Sequence, residues 1–138
     1  MDAGDTIART NDVILVVDDN VDAADSLALL LERDGFRVLV AYDGRFAVEQ
    51  FDAHRPSAVI MDIGLPIMDG YETARLMRQR QGDAPLLLIA LTGWGQADDR
   101  RRSLAAGFDH HLVKPVLPSE IHALLSRVGA RTEISGSP

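Results

Sequence analysis

Five polar side chains stand directly behind short apolar runs. Val13 to Val17 leads into Asp18-Asp19, and Ala58-Val59-Ile60-Met61 leads into Asp62. Leu86 to Leu91 leads into Thr92, and Leu112-Val113 leads into Lys114-Pro115. Asp62 then enters the turn Ile63-Gly64-Leu65-Pro66-Ile67-Met68-Asp69-Gly70. A buried strand that delivers one carboxylate into a Pro/Gly loop is placing that carboxylate. Gathered into one site, the three acids would repel: two like charges roughly 4 Å apart cost about 1 kcal/mol in water, and several times that when partly buried. A divalent cation removes the conflict. All-oxygen ligation by few protein groups suits Mg2+, which keeps most of its waters; Mn2+ is the expected substitute. The hydroxyl of Thr92 and the ammonium of Lys114 suit a phosphoryl group.

The apolar runs predict strands at 13–17, 37–41, 58–62, 86–91 and 110–113. Helical patterns lie between them, at 21–34, 45–54, 70–80 and 97–106, with a fifth at 118–128. Ala24, Leu27, Ala28 and Leu31 are spaced i, i+3, i+4, i+7, and Ile121, Leu124, Leu125 and Val128 repeat that spacing. Strands separated by amphipathic helices imply βαβ units and a parallel sheet. Gly35 and Gly107 each follow a helix and precede a Phe, the pattern of a left-handed C′ glycine whose apolar neighbour folds back. Asp69 stands where the helix beginning near Gly70 needs an N-cap.

A chain of 138 residues is the size of one domain and buries a core without staples. It has no cysteine, so disulfides and thiolate metal sites are excluded. A formal net charge of −7 argues against nucleic acid as a partner, because phosphate neutralisation needs clustered Lys and Arg. Residues 1–11 lack the apolar stretch of a signal peptide, and no run is long enough to span a bilayer. A cytoplasmic location without direct membrane contact is expected. Residues 1–11 and 130–138 have no periodicity and are expected to be flexible tails around a unit at 12–129. No second domain is expected.

These residues resemble a family. Val16-Val17-Asp18-Asp19-Asn20, Ile60-Met61-Asp62, Leu65-Pro66, Met68-Asp69-Gly70, Leu91-Thr92-Gly93 and Val113-Lys114-Pro115 are similar, in that order, to response regulator receiver domains of two-component signalling. The resemblance covers roughly residues 12–129. It implies a flavodoxin-like (βα)5 fold, a doubly wound parallel five-stranded sheet of order 2-1-3-4-5 with the site at its switch point. It also implies the roles. Asp62 takes a phosphoryl group from a phosphohistidine on a sensor histidine kinase or histidine phosphotransfer domain. Asp19, Asp62 and the backbone carbonyl of Gly64 bind the metal, and Asp18 acts through water. Lys114 pairs with the phosphoryl group, the Thr92 hydroxyl moves to it, and a surface for an unknown downstream protein switches. A cis Lys114-Pro115 bond belongs to the same pattern. Two positions depart from it. His111 stands where a Tyr or Phe usually serves as a rotameric switch, and Trp94 beside Gly93 is bulky for the site rim. That indole could shield the acyl phosphate from water or simply pack on the fourth helix. Leu91 to Gln96 and Gly107 to Leu112 further resemble receivers of hybrid sensor kinases.

Blander readings stand beside these. Asp18-Asp19-Asn20 could be only a helix cap. Arg100-Arg101-Arg102 points in several directions around a helix and is expected to be a solvated surface. His54, His110, His111 and His122 lack metal-ligand spacing, and His110 and His111 should point to opposite faces of a strand. Lys114 is the sole lysine among fourteen basic residues, which speaks against chance placement. Two other functions are open. A Mg-dependent phosphatase could use Asp62 as nucleophile, but Gly64 occupies the position from which a second acid would protonate the leaving group. A protein-binding module independent of phosphorylation would have no use for Asp18-Asp19, Thr92 and Lys114.

Overall fold

The computed structural model describes residues 13–65, 67–93 and 97–126, with residues 97–99 as backbone only. Trp94 and the expected tails lie outside these residues.

Short, mostly apolar runs form five strands: β1 (Val13–Val17), β2 (Arg37–Ala41), β3 (Ala58–Asp62), β4 (Leu87–Thr92) and β5 (His110–Val113). Between them run α1 (Val21–Arg33), α2 (Gly44–His54), α3 (Gly70–Gln81) and α4 (Ala97–Ala106), and a fifth helix, α5, spans 118–126. The strands form one sheet in the order β2-β1-β3-β4-β5, and every pairing is parallel. The expected order and element types are therefore present, with boundaries moved by one residue or so.

The sheet divides the core in two. Leu15, Val17, Val59, Met61, Leu88 and Ala90 pack with Phe51 of α2, Met77 of α3 and Ala106 of α4. Ile14, Val16, Ile60, Leu87, Ile89 and Leu91 pack with Leu31 of α1 and with Ile121 and Leu125 of α5. Alternating side chains feed opposite faces, as strands covered by helices on both sides require.

Local chemistry ends the helices where it was expected to. Gly35 and Gly107 adopt φ of 99° and 108°. Phe36 N–H returns to Leu31 O at 3.2 Å and Phe108 N–H to Ser103 O at 3.0 Å, the six-to-one bond of a Schellman cap. Asn20, Asp43 and Asp69 cap α1, α2 and α3, accepting from Ala23, Phe46 and Glu72 N–H at 3.0, 2.8 and 2.9 Å.

Candidate functional site

The sheet's C-terminal edge assembles the site through backbone register. Asp62 lies across from Leu91, and Thr92 from Val113. Beyond the last pair, Ile63 N–H donates to Leu91 O at 3.0 Å and Lys114 N–H to Thr92 O at 2.7 Å. On the other side, Asp18 N–H donates to Ala41 O at 3.1 Å. Asp18, Asp62, Thr92 and Lys114 thus stand on four adjacent strand ends.

Carboxylate oxygens of Asp18, Asp19 and Asp62 lie within 4.8 Å of one another. Asp18 is buried, 4% exposed, Asp62 is half-buried and Asp19 faces solvent. Lys114 Nζ stands between two of them, 3.5 Å from Asp18 Oδ2 and 3.4 Å from Asp62 Oδ2. Asp18 Oδ1 accepts from Asn20 N–H at 3.0 Å, and Asp62 Oδ1 from Gly64 N–H at 3.2 Å. The side chain that caps α1 is that of Asn20, while carboxylate oxygens of Asp18 and Asp19 converge with one of Asp62. Three converging carboxylates with no nitrogen or sulfur donor fit a hard divalent cation.

Thr92 is buried at the end of β4, and Gly93 follows on the surface. Gly64 is exposed, and a Cβ there would meet nothing within 4 Å. The Lys114-Pro115 peptide is cis. His111 pairs with Ala90 on the α4 side of the sheet, while His110 pairs with Ile89 on the other, so the two do face apart. His111 Nδ1 lies 3.0 Å from Ser103 Oγ, and its buried Nε2 has no hydrogen-bond partner.

The arginine run is exposed at all three positions, as expected. The Arg102 guanidinium in addition lies 4.2 Å from the Tyr71 ring centroid, joining α4 to α3. Other features carried no signal in the sequence. A Cβ on Gly70 would come within 2.7 Å of Ile63 Cα and 2.9 Å of Asp62 O. One on Gly44 would come within 2.4 Å of Thr73 Oγ1 and 2.5 Å of Met68 O. Both glycines allow helix starts to press against the loop that follows Asp62.

Residues 14–126 match the response regulator receiver domain profile. The chain belongs to the response regulator receiver family. The receiver is 37% identical over 134 residues to the transcriptional regulatory protein PrrA of Mycobacterium tuberculosis, an alignment covering 94% of this chain and 55% of PrrA. It spans about half the length of such curated relatives. Among solved structures it resembles chemotaxis protein CheY4 of Vibrio cholerae, with TM-score 0.79, 27% identity and coverage of 88% and 99% of the two chains. It shares its fold with the receiver domain of Ssk1 from Saccharomyces cerevisiae, solved with the histidine phosphotransfer protein Ypd1, at TM-score 0.84, 24% identity and coverage of 93% and 94%.

Proposed function

We propose that this receiver accepts a phosphoryl group on Asp62 from a phosphohistidine, carried by a sensor histidine kinase or a histidine phosphotransfer domain, in a two-component or phosphorelay pathway. The observation that carries this reading is the convergence of three carboxylates within 4.8 Å, with the Lys114 ammonium 3.4 Å from Asp62. The Ssk1 receiver, of the same fold, associates with a histidine phosphotransfer protein.

In the transfer, an Asp62 oxygen forms a bond to phosphorus as the N–P bond breaks. The bonding pair leaves with the donor nitrogen, and the ring, protonated on its other nitrogen, departs as neutral imidazole. Positioning and charge neutralisation carry most of such a transfer. Asp19, Asp62 and the Gly64 carbonyl are the groups assigned to hold Mg2+, with Asp18 acting through water and Mn2+ as a substitute. When bound, the ion offsets the negative charge of the carboxylates and of the phosphoryl oxygens. Lys114 turns its ammonium from the carboxylates toward a phosphoryl oxygen. Thr92 offers its hydroxyl to another, and His111, beneath α4, is the side chain placed to respond. The downstream partner is a protein. Among the described residues no helix is long and apolar enough to cross a membrane, and we assign the receiver to the cytoplasm. It acts as a signalling module, with no turnover of outside phosphoesters such as p-nitrophenyl phosphate.

Acetyl phosphate with Mg2+ tests the assignment. Intact mass spectrometry should show one added phosphoryl group on the wild type and none on Asp62→Asn. Equal labelling of both would remove Asp62 from the role. Asp19→Ala should also abolish labelling at millimolar Mg2+; labelling that survives would dismiss Asp19 as a ligand.

A further inference from the structure

The acceptor site continues on one side into an apolar cleft. The cleft lies between α1 and the segment that leads from β5 into α5, and it encloses about 370 Å3. Clefts that take small ligands span about 300–1,000 Å3. Asp18, Asn20 and Lys114 form its polar end, and Lys114 Nζ is 3.4 Å from Asp62 Oδ2. The rest of the lining is apolar, with Leu27 and Leu30 from α1 and Val116 and Ile121 from the β5–α5 side. Leu30 stands ten residues beyond Asn20, roughly 15 Å along the helix axis. Ala23, in the first turn of α1, lines the cleft between the two ends, is exposed, and fills little of it. The acids, Thr92 and Lys114 suffice to hold a phosphoryl group, so phosphoryl chemistry alone leaves this apolar extension without a use.

Lys114 belongs to both parts. Its ammonium stands beside the acceptor, and its methylene stem suits the wall of the cleft. A ligand that matches the whole surface carries a phosphoryl group at one end and an aliphatic chain at the other. We propose that this receiver takes phosphoryl groups from acyl phosphates of medium chain length, with the phosphoryl end at Asp62 and Lys114 and the chain along the cleft. The proposal rests on Asp62 being the acceptor and names a class of small donor for that same carboxylate. An Asp62 oxygen forms the bond to phosphorus as the bond from phosphorus to the acyl oxygen breaks. The bonding pair leaves on that oxygen. The products are the aspartyl phosphate and an aliphatic carboxylate, and no proton is exchanged. Straight-chain carboxylates are leaving groups of nearly equal basicity, so chain length acts on binding and not on the chemistry.

The test labels the full chain at millimolar Mg2+ with acetyl, butyryl and hexanoyl phosphate and follows it by intact mass spectrometry. Full burial of one methylene is worth about fourfold in affinity, and a cleft open on one side about half of that free energy, or twofold. Hexanoyl phosphate should therefore label about tenfold faster than acetyl phosphate at low concentration, with butyryl phosphate between them. The gain should appear in the half-saturating concentration and not in the rate at saturation. Ala23→Leu fills the cleft and should bring the rate constants for the hexanoyl and acetyl donors together. Leu29→Asn, at an exposed position on α1 outside the lining, should keep their ratio at the wild-type value. The ratio compares two donors on one protein, so a general loss of reactivity cancels. Hexylphosphonate, an unreactive mimic of the donor, should shift the amides of Leu27, Leu30 and Ile121 more than ethylphosphonate does. Equal rate constants for the three donors in wild type would overturn the proposal while leaving the acceptor reading intact. So would a ratio that survives Ala23→Leu, or phosphonate shifts confined to other segments, since the chain would then lie elsewhere. If Ala23→Leu fails to fold, the phosphonate shifts in wild type decide. Absence of labelling by every donor strikes the acceptor reading itself, and the proposal falls with it.

Discussion

One ammonium serves two carboxylates at this site. Lys114 lies 3.5 Å from the buried Asp18 and 3.4 Å from Asp62, and its own side chain is 37% exposed. The distances are long and solvent reaches the lysine, so the loss on removing it should be modest, about 1 kcal/mol. Lys114→Ala should therefore unfold at lower urea without Mg2+ and recover much of that loss when millimolar Mg2+ is added. The stabilisation by Mg2+ should be larger in the variant than in wild type; a smaller one would mean that Lys114 does not neutralise the acids. The phosphorylated variant should also fail to show the amide shifts that reach α4, β5 and α5 in wild type, because the role proposed for Lys114 is to pair with the phosphoryl group and not to hold the metal. Tyr42 gives a second test at this scale. Its hydroxyl donates to Asp25 Oδ1 at 2.7 Å, and that hydrogen bond, followed by a little desolvation and the nearby negative charge, raises its pKa above the ordinary phenol value. A raised phenol pKa means the folded chain holds its proton longer than the unfolded chain. The associated stability is thus present below the ordinary value and fades as pH climbs through the folded one. Ultraviolet titration should show Tyr42 ionising at lower pH in Asp25→Asn than in wild type.

Among the elements, the start of α3 is the most constrained. A Cβ on Gly70 would meet the backbone of Ile63 and Asp62, which cannot yield as a flexible side chain would. Alanine improves helix propensity by about 1 kcal/mol over glycine. Overpacking against fixed backbone costs typically 1–3 kcal/mol, so the clash should win. Gly70→Ala is expected to lower stability by about 1 kcal/mol and to slow labelling at Asp62, because the strand end carrying that residue must shift. Gly64→Ala, with open space around its Cβ, should fold within about 0.5 kcal/mol of wild type. Equal stability of the two variants in urea would remove the packing role of Gly70. These contrasts also mark what could be read from the chain beforehand. Strands were legible as short unbroken apolar runs because helices cover the sheet on both faces, and helices because a period near 3.6 follows from burying one face. Asp18, Asp62, Thr92 and Lys114 were legible because each ends an apolar run. Strand order came from the family resemblance, since alternation alone fits several orders. The closeness of Gly44 and Gly70 and the left-handed backbone of Ile67, at φ 70°, were not legible, because packing between distant segments sets them.

Across the whole molecule, Arg78 ties together pieces that the sheet alone leaves apart. From α3 its Nε donates to Gly107 O at 2.8 Å, and its Nη1 to Leu86 O at 2.9 Å and Gln81 Oε1 at 3.0 Å. Its Nη2 pairs with Asp109 Oδ2 at 2.8 Å, and the same oxygen accepts from Leu88 N–H at 2.8 Å. No spacing in the chain announces the tie to Gly107 and Asp109, which stand 29 and 31 residues away. Arg78→Met should cost about 2–4 kcal/mol by urea unfolding, because several carbonyls lose charge-assisted partners at once. Arg78→Lys should recover less than half of that, since an ammonium cannot reproduce the planar fork. Full rescue by lysine would reduce the clamp to a point charge. The last rungs of the ladder carry a different kind of information. The peptide hydrogens of Ile63 and Lys114 end on Leu91 O and Thr92 O, one strand position beyond the regular pairing. Exchange of such hydrogens for deuterium requires the rung to open. Those two amides therefore keep time for the site. Their exchange rates record how often Asp62 and Lys114 come loose from β4 in the resting protein, before any donor has arrived.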